Sequence, residues 1–188
     1  VFEFGEPRFY SRLGIFGRAL LLGGIFVLTA PVSATADTTF GMRFLVAHEG
    51  GEPVVDSAYL DAHVRRANEL FAPAGVAFEA DSPESSTGRA VIVTRSHRHA
   101  LATQVEGARI HVFVVKSLAD VDVAGRALRG VHWRSRRGGP RVHYVILSSI
   151  AGEYVLAHEL GHFFGNPHSP TPGNIMGYER GDGPPFFD

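Results

Sequence analysis

The sequence predicts a single α+β domain behind a targeting segment, and three observations carry that expectation. Short apolar segments of strand length recur along the chain. Two other stretches repeat their apolar residues every three to four positions, as amphipathic helices do. The 188 residues are 45% hydrophobic and 20% charged, enough to build a core, with no low-complexity tract after the first segment.

The elements follow in order. Arg8, Arg12 and Arg18 lead into an apolar run over 19–30, then Pro31 and the small residues Ala34, Thr35 and Ala36, the layout of a secretory signal cleaved near Ala36. The apolar run is shorter than the roughly 20 residues a membrane-spanning helix needs. Residues 1–36 are therefore expected to be removed on export. The domain expected over 37–188 is then secreted, extracellular or periplasmic, without stable membrane association. Residues 41–47 form the first strand, ended by Gly50-Gly51-Glu52-Pro53. From an N-cap at Asp56 or Ser57, Leu60, Val64, Ala67 and Phe71 make one helical stripe, which Pro73 and Gly75 stop. Strands follow at 76–79, 90–95, 109–115, 128–134 and 142–148, with a polar loop over 81–89 and a turn around 136–140. A last helix is expected over 153–164, where Tyr154, Val155, Leu156, Leu160 and Phe163 supply its core-facing surface.

Composition narrows the chemistry. Eighteen basic side chains against 19 acidic ones give no electrostatic reason to expect nucleic acid or an anionic membrane as partner. With no cysteine there are no disulfides, thiol nucleophiles or thiolate metal sites, so any metal must be held by His, Asp, Glu or Tyr. The last helix carries His158-Glu159-Leu160-Gly161-His162, which puts two imidazoles one turn apart on one face. Gly165 permits a sharp turn and Pro167 stiffens the return, bringing His168 back toward them. Three neutral imidazoles leave a zinc ion one open position, as at a catalytic site. Glu159 is then placed to act as general base on the attacking water. At this chain's own residue frequencies the five-residue pattern arises by chance about 2 times in 10,000, so coincidence is a poor competitor.

His158-Glu159-x-x-His162-x-x-Gly165-x-x-His168, followed by Met176 in Asn174-Ile175-Met176-Gly177-Tyr178, resembles the metzincin clan of zinc endopeptidases with its Met-turn. The resemblance implies His158, His162 and His168 as zinc ligands, Glu159 as catalytic base and Met176 as the floor beneath the metal. Tyr178 matches the tyrosine that ligates zinc and supports the transition state in astacin-like and serralysin-like members. Ser169, directly after the third histidine, is similar to the matrix metalloproteinase pattern instead. The implied fold is a twisted, mostly parallel sheet with a backing helix, an active-site helix and an antiparallel edge strand above the zinc, for which Gly130-Val131-His132-Trp133 is the candidate. With ten residues after Tyr178, the C-terminal subdomain is expected to be short. The implied substrate is an extended peptide or protein, cleaved by a monomer. Asn166-Pro167 departs from the usual apolar pair before the third histidine.

Two other readings of function stay open at this level: a secreted zinc- or peptide-binding module with little turnover, and a zinc hydrolase of a small amide or cell-wall peptide. Lesser candidates are His97 and His99 for a second metal on an extended segment, or as solvated loop histidines. Asp120 and Asp122 have oxygen-ligand spacing for calcium, or cap a turn. Arg134-Ser135-Arg136-Arg137 is a solvated loop or a bias of the cleft toward acidic substrates.

Overall fold

From Thr38 onward, strand-forming runs accompany one long amphipathic helix, and in a computed structural model they assemble into a mixed α/β domain. The structure describes residues 37–135, 141–179 and 181–187, so the signal expected over 1–36 and the turn at 136–140 lie outside the described residues. In chain order the elements are β1 (Thr38–Val46), β2 (His48–Glu49), β3 (Glu52–Pro53), α1 (Ser57–Phe71), β4 (Val76–Ala80), β5 (Glu84–Ser85), β6 (Val91–Ile92) and α2 (Arg95–Ala100). They continue with β7 (Ile110–Val115), β8 (Ser117–Leu118), β9 (Gly130–Ser135), β10 (Val142–Ser148) and α3 (Val155–Phe163). No helix among the described residues is long and apolar enough to cross a membrane.

The main sheet has the order β4-β1-β7-β10-β9, with β5 also pairing β1. Every pairing is parallel except β9 with β10, which makes Gly130–Ser135 an antiparallel edge strand. Period-two alternation divides the sheet's side chains between two cores. Met42, Phe44, Val46, Val112, Val114, Val145 and Leu147 face α1 and α3. Leu45, Phe113, Val115, Tyr144 and Ile146 face Ile92, Leu101 and Leu118 on the other side. Strand β7 is buried along its whole length, which is why its sequence, IHVFVV, reads as an apolar run and not as an alternation.

Helix α1 starts where the sequence puts it. Asp56 is the cap, its carboxylate accepting from the Tyr59 N–H at 2.9 Å. Asn68 ties the helix to β4, its amide donating to the Phe78 carbonyl at 3.0 Å and accepting from the Phe78 N–H at 2.7 Å. The buried stripe is Leu60, His63, Ala67 and Phe71, so an imidazole takes the central position expected for Val64, which packs at the margin of the core.

His63 is only 1% exposed, with its ring 4.5 Å from that of Tyr59. Burial lowers its pKa from 6.5 to about 4, offset in part by nearby backbone groups of Glu153 and Ala151, none in hydrogen-bonding geometry. The folded state therefore holds the ring neutral where the unfolded chain protonates it. Stability from this group is complete above pH 6.5 and falls by about 1.4 kcal/mol per unit down to the folded value. In urea unfolding, the stability difference between the wild type and His63→Leu should shift by about 3 kcal/mol in favour of the variant between pH 7 and pH 4. A constant difference would show that the imidazole is not held neutral.

Three expectations are corrected. The strand expected over 90–95 is confined to Val91–Ile92. Thr94 then caps a short helix, its side chain accepting from the His97 N–H, so His97 and His99 do not alternate on an extended segment. His97 turns back to its own helix start, while the His99 ring contacts Ser135 and Trp133 on β9. The 81–89 loop, for its part, contributes Glu84–Ser85 to the edge of β1.

Candidate metal centre

Helix α3 is pinned by its flanks and by its sheet-facing side. Before it, Glu153 pairs with Arg66 of α1 at 3.0 Å, and the Arg66 guanidinium lies 5.1 Å from the centre of the Tyr154 ring. Leu156, Ala157 and Leu160 are fully buried against the sheet. At 3.6 residues per turn this leaves His158 and His162 together on the open face. After the helix, Gly165 adopts φ 102°, where a side chain would be strained, and Asn166 N–H closes the turn on the Gly161 carbonyl at 2.9 Å. The chain doubles back and brings His168 to the other two.

Main-chain carbonyls set the tautomers. His158 Nδ1 lies 2.6 Å from the Ile175 carbonyl, and His162 Nδ1 lies 2.9 Å from the Asn166 carbonyl. A carbonyl can only accept, so each Nδ1 carries the proton and each neutral ring presents a bare Nε2. Those Nε2 atoms are 3.1 Å apart, and His162 Nε2 is also 3.1 Å from His168 Nε2. Two bare acceptors at that distance make no hydrogen bond, and their lone pairs repel unless a cation lies between them. Ligands about 2.0–2.1 Å from one tetrahedral ion stand roughly 3.3 Å from each other, close to the spacing found. His158, His162 and His168 form the group among the described residues that could hold a metal ion. With Asn166-Pro167 before it, His168 still reaches the other two imidazoles, and the Asn166 carbonyl orients His162.

The turn around Met176 braces this arrangement. Asn174 accepts the Met176 N–H on its side chain at 2.7 Å and the Gly177 N–H on its carbonyl at 2.8 Å. The turn so formed offers the Ile175 carbonyl to His158 and the Met176 carbonyl to the Ser169 N–H, directly after His168. Met176 is 2% exposed and packs against Gly161, where an added Cβ would collide with its sulfur. Tyr178 is 81% exposed, and its hydroxyl lies 3.2 Å from His168 Nδ1, the ring nitrogen facing away from the other imidazoles.

Glu159 is 6% exposed and sits under the edge strand. Burial pushes its carboxyl up to about 7, against the opposing pull of the His132 N–H and of Arg98. Burial is also the main cause that lowers the pKa of His158 and His168, and the neighbouring imidazoles add to it. These shifts favour neutral, ligand-competent rings.

Two cavities flank the His158–Glu159 pair. One, of about 870 Å³, is lined by His132, Trp133 and Arg134 of β9 with His162, His168 and Tyr178. The other, of about 600 Å³, lies among Arg129, Tyr154, Val155, Ile175, Glu179 and Pro185. Strand β9 lines the first cavity and reaches the second at Gly130, and no described strand pairs on its outer side. Asp120 and Asp122 are engaged elsewhere. Asp120 accepts from the Asp122 N–H at 2.8 Å and from Arg126 Nε at 2.6 Å, and Asp122 pairs with Arg95, so both carboxylates brace a turn.

The sequence singled out the three imidazoles, Glu159 and the strand from Gly130, and the structure brings them side by side. The sequence did not single out the Ile175 and Asn166 carbonyls or the His132 amide, which are main-chain groups and leave no residue-type signature. No family model and no curated protein matches this chain.

Proposed function

We propose that this chain is a secreted zinc endopeptidase of metzincin type. The observation that carries the reading is the convergence of three imidazole nitrogens, those of His158 and His162 bare, beside a buried carboxylate and below a strand edge that no described strand pairs. An all-nitrogen, three-ligand donor set suits zinc with an open position, and His158, His162 and His168 would hold it. When bound, zinc supplies a Lewis acid that acidifies water and polarises a carbonyl.

The chain's own residues supply the rest. The outward-facing backbone groups of β9, apart from the His132 N–H that Glu159 holds, take an extended peptide as an added strand, and the cavities on either side of His158–Glu159 receive the residues before and after the scissile bond. A cleft open on both sides suits internal cleavage. Glu159 accepts the proton of the attacking water and passes it to the leaving amine. Tyr178 works from the outer side of His168, and its exposure leaves it free to swing toward the developing charge on the carbonyl oxygen.

The test compares the zinc-loaded and chelator-treated protein on a mixed library of long and short peptides. Chelator-sensitive cleavage within long peptides is the expected result. Stoichiometric zinc with no turnover would replace the proposal by a binding module, and cleavage confined to small amides or cell-wall peptides by a small-amide hydrolase.

A further inference from the structure

We infer that the edge strand positions the general base: the His132 backbone N–H fixes one oxygen of Glu159 and Gly130 keeps room for the other, so that substrate strand and base form one mechanical unit. The inference rests on the reading of Glu159 as the base and extends it to two residues outside the histidine motif.

The His132 N–H donates to Glu159 Oε2 at 2.6 Å, a short charge-assisted bond. In an antiparallel ladder the N–H and C=O of one residue point to the same side, so His132, and with it Gly130 and Arg134, turn their backbone groups away from β10. The donor is thus an edge group that would otherwise face solvent or substrate. Glu159 Oε1 accepts no hydrogen bond from any described residue, leaving it for proton transfer. It is also the oxygen most exposed to crowding from position 130. A Cβ on Gly130 would stand 2.5 Å from Val155 Cγ1, 3.0 Å from Glu159 Cγ and 3.1 Å from Oε1. The strand comes this close to the helix because Gly130 has no side chain.

The opposite face of β9 is held as well. The Arg98 guanidinium lies 4.8 Å from the centre of the Trp133 ring, and the Trp133 indole N–H reaches His99 Nδ1 at 3.3 Å. The amide therefore hangs from a strand fixed on both faces. A peptide docking along this edge pulls on the same strand that aims the carboxylate.

Amide hydrogen exchange tests the contact directly, with or without zinc. Glu159→Ala should speed exchange of the His132 amide at least about tenfold and leave Val131 and Trp133, which face β10, unchanged. Equal exchange of His132 in wild type and variant would overturn the inference. Kinetics test its consequence. His132→Pro removes the N–H at a position whose donor does not serve the sheet, and should lower kcat at least about tenfold relative to His132→Ala, with KM within about threefold and zinc content intact. If His132→Pro does not fold, Gly130→Ala with Val155→Ala decides: it should lose kcat relative to Val155→Ala alone, since Glu159 stays crowded after the valine clash is relieved. Turnover equal to the matched control in the folded variant overturns the inference. Glu159→Gln run in parallel separates the two readings. Full activity there removes the base, whereas an inactive Glu159→Gln beside an undisturbed His132→Pro removes the positioning role alone.

Discussion

Glu159→Gln is expected to keep one zinc per chain and to lose at least about a hundredfold in kcat, the lower end of what a general base contributes. The substitution is close to isosteric, and the amide oxygen of glutamine can still accept from the His132 N–H that now holds Oε2. What it cannot do is take a proton. Binding of metal and peptide should thus survive, and the loss should fall on kcat with KM little changed, as for an interaction made only in the transition state. Stability gives an independent check. A carboxylate 6% exposed, pushed up by burial to about 7, costs free energy when ionised, and a neutral amide avoids that cost. The variant should be as stable as the wild type or more so in thermal unfolding. Zinc content by atomic emission and peptide turnover on the same preparation settle the matter, and unreduced turnover would take Glu159 out of the mechanism.

Most of this architecture is legible in the sequence because it rests on side-chain patterning. The strands at 109–115 and 142–148 carry long apolar runs, and a sheet buried on both faces asks for just that. The cap at Asp56 and the stop at Gly75 follow from local chemistry that does not depend on tertiary context. The imidazole trio is legible because ligands must be particular residue types at particular offsets. Where the reading stops short, the cause is different each time. Helix α2 has six residues, too few for a periodic signal, and a single Thr94 hydroxyl marks its start. His63 is a polar residue in an apolar stripe, a choice that only the packing of Tyr59 and the surrounding core explains. The groups that orient the site are carbonyls of Ile175 and Asn166 and an amide of His132. Every residue owns a carbonyl and every one but proline an N–H, so the fold alone selects which of them reach the imidazoles and the carboxylate.

The second large effect concerns the metal itself. His162 is the hub of the trio, its Nε2 lying 3.1 Å from those of both His158 and His168. Zinc bound with roughly 10–16 kcal/mol through a handful of ligands loses a few kcal/mol with each one, so His162→Ala should weaken zinc about a thousandfold or more and abolish turnover. The geometry also fixes a sign that a structural role for His162 would not produce. Without metal the His158 and His162 Nε2 lone pairs face each other unrelieved, so in chelator His162→Ala should unfold at a temperature equal to or above that of the wild type. With zinc the order should reverse. An ion that binds only the folded wild type adds about 2.7 kcal/mol at a free concentration one hundred times Kd, which raises its Tm by several degrees while the variant stays where it was. Thermal scans of both proteins across a zinc titration read the crossing directly. A wild-type Tm indifferent to zinc would mean that the converging nitrogens hold no ion, and the hydrolytic reading would fall with them.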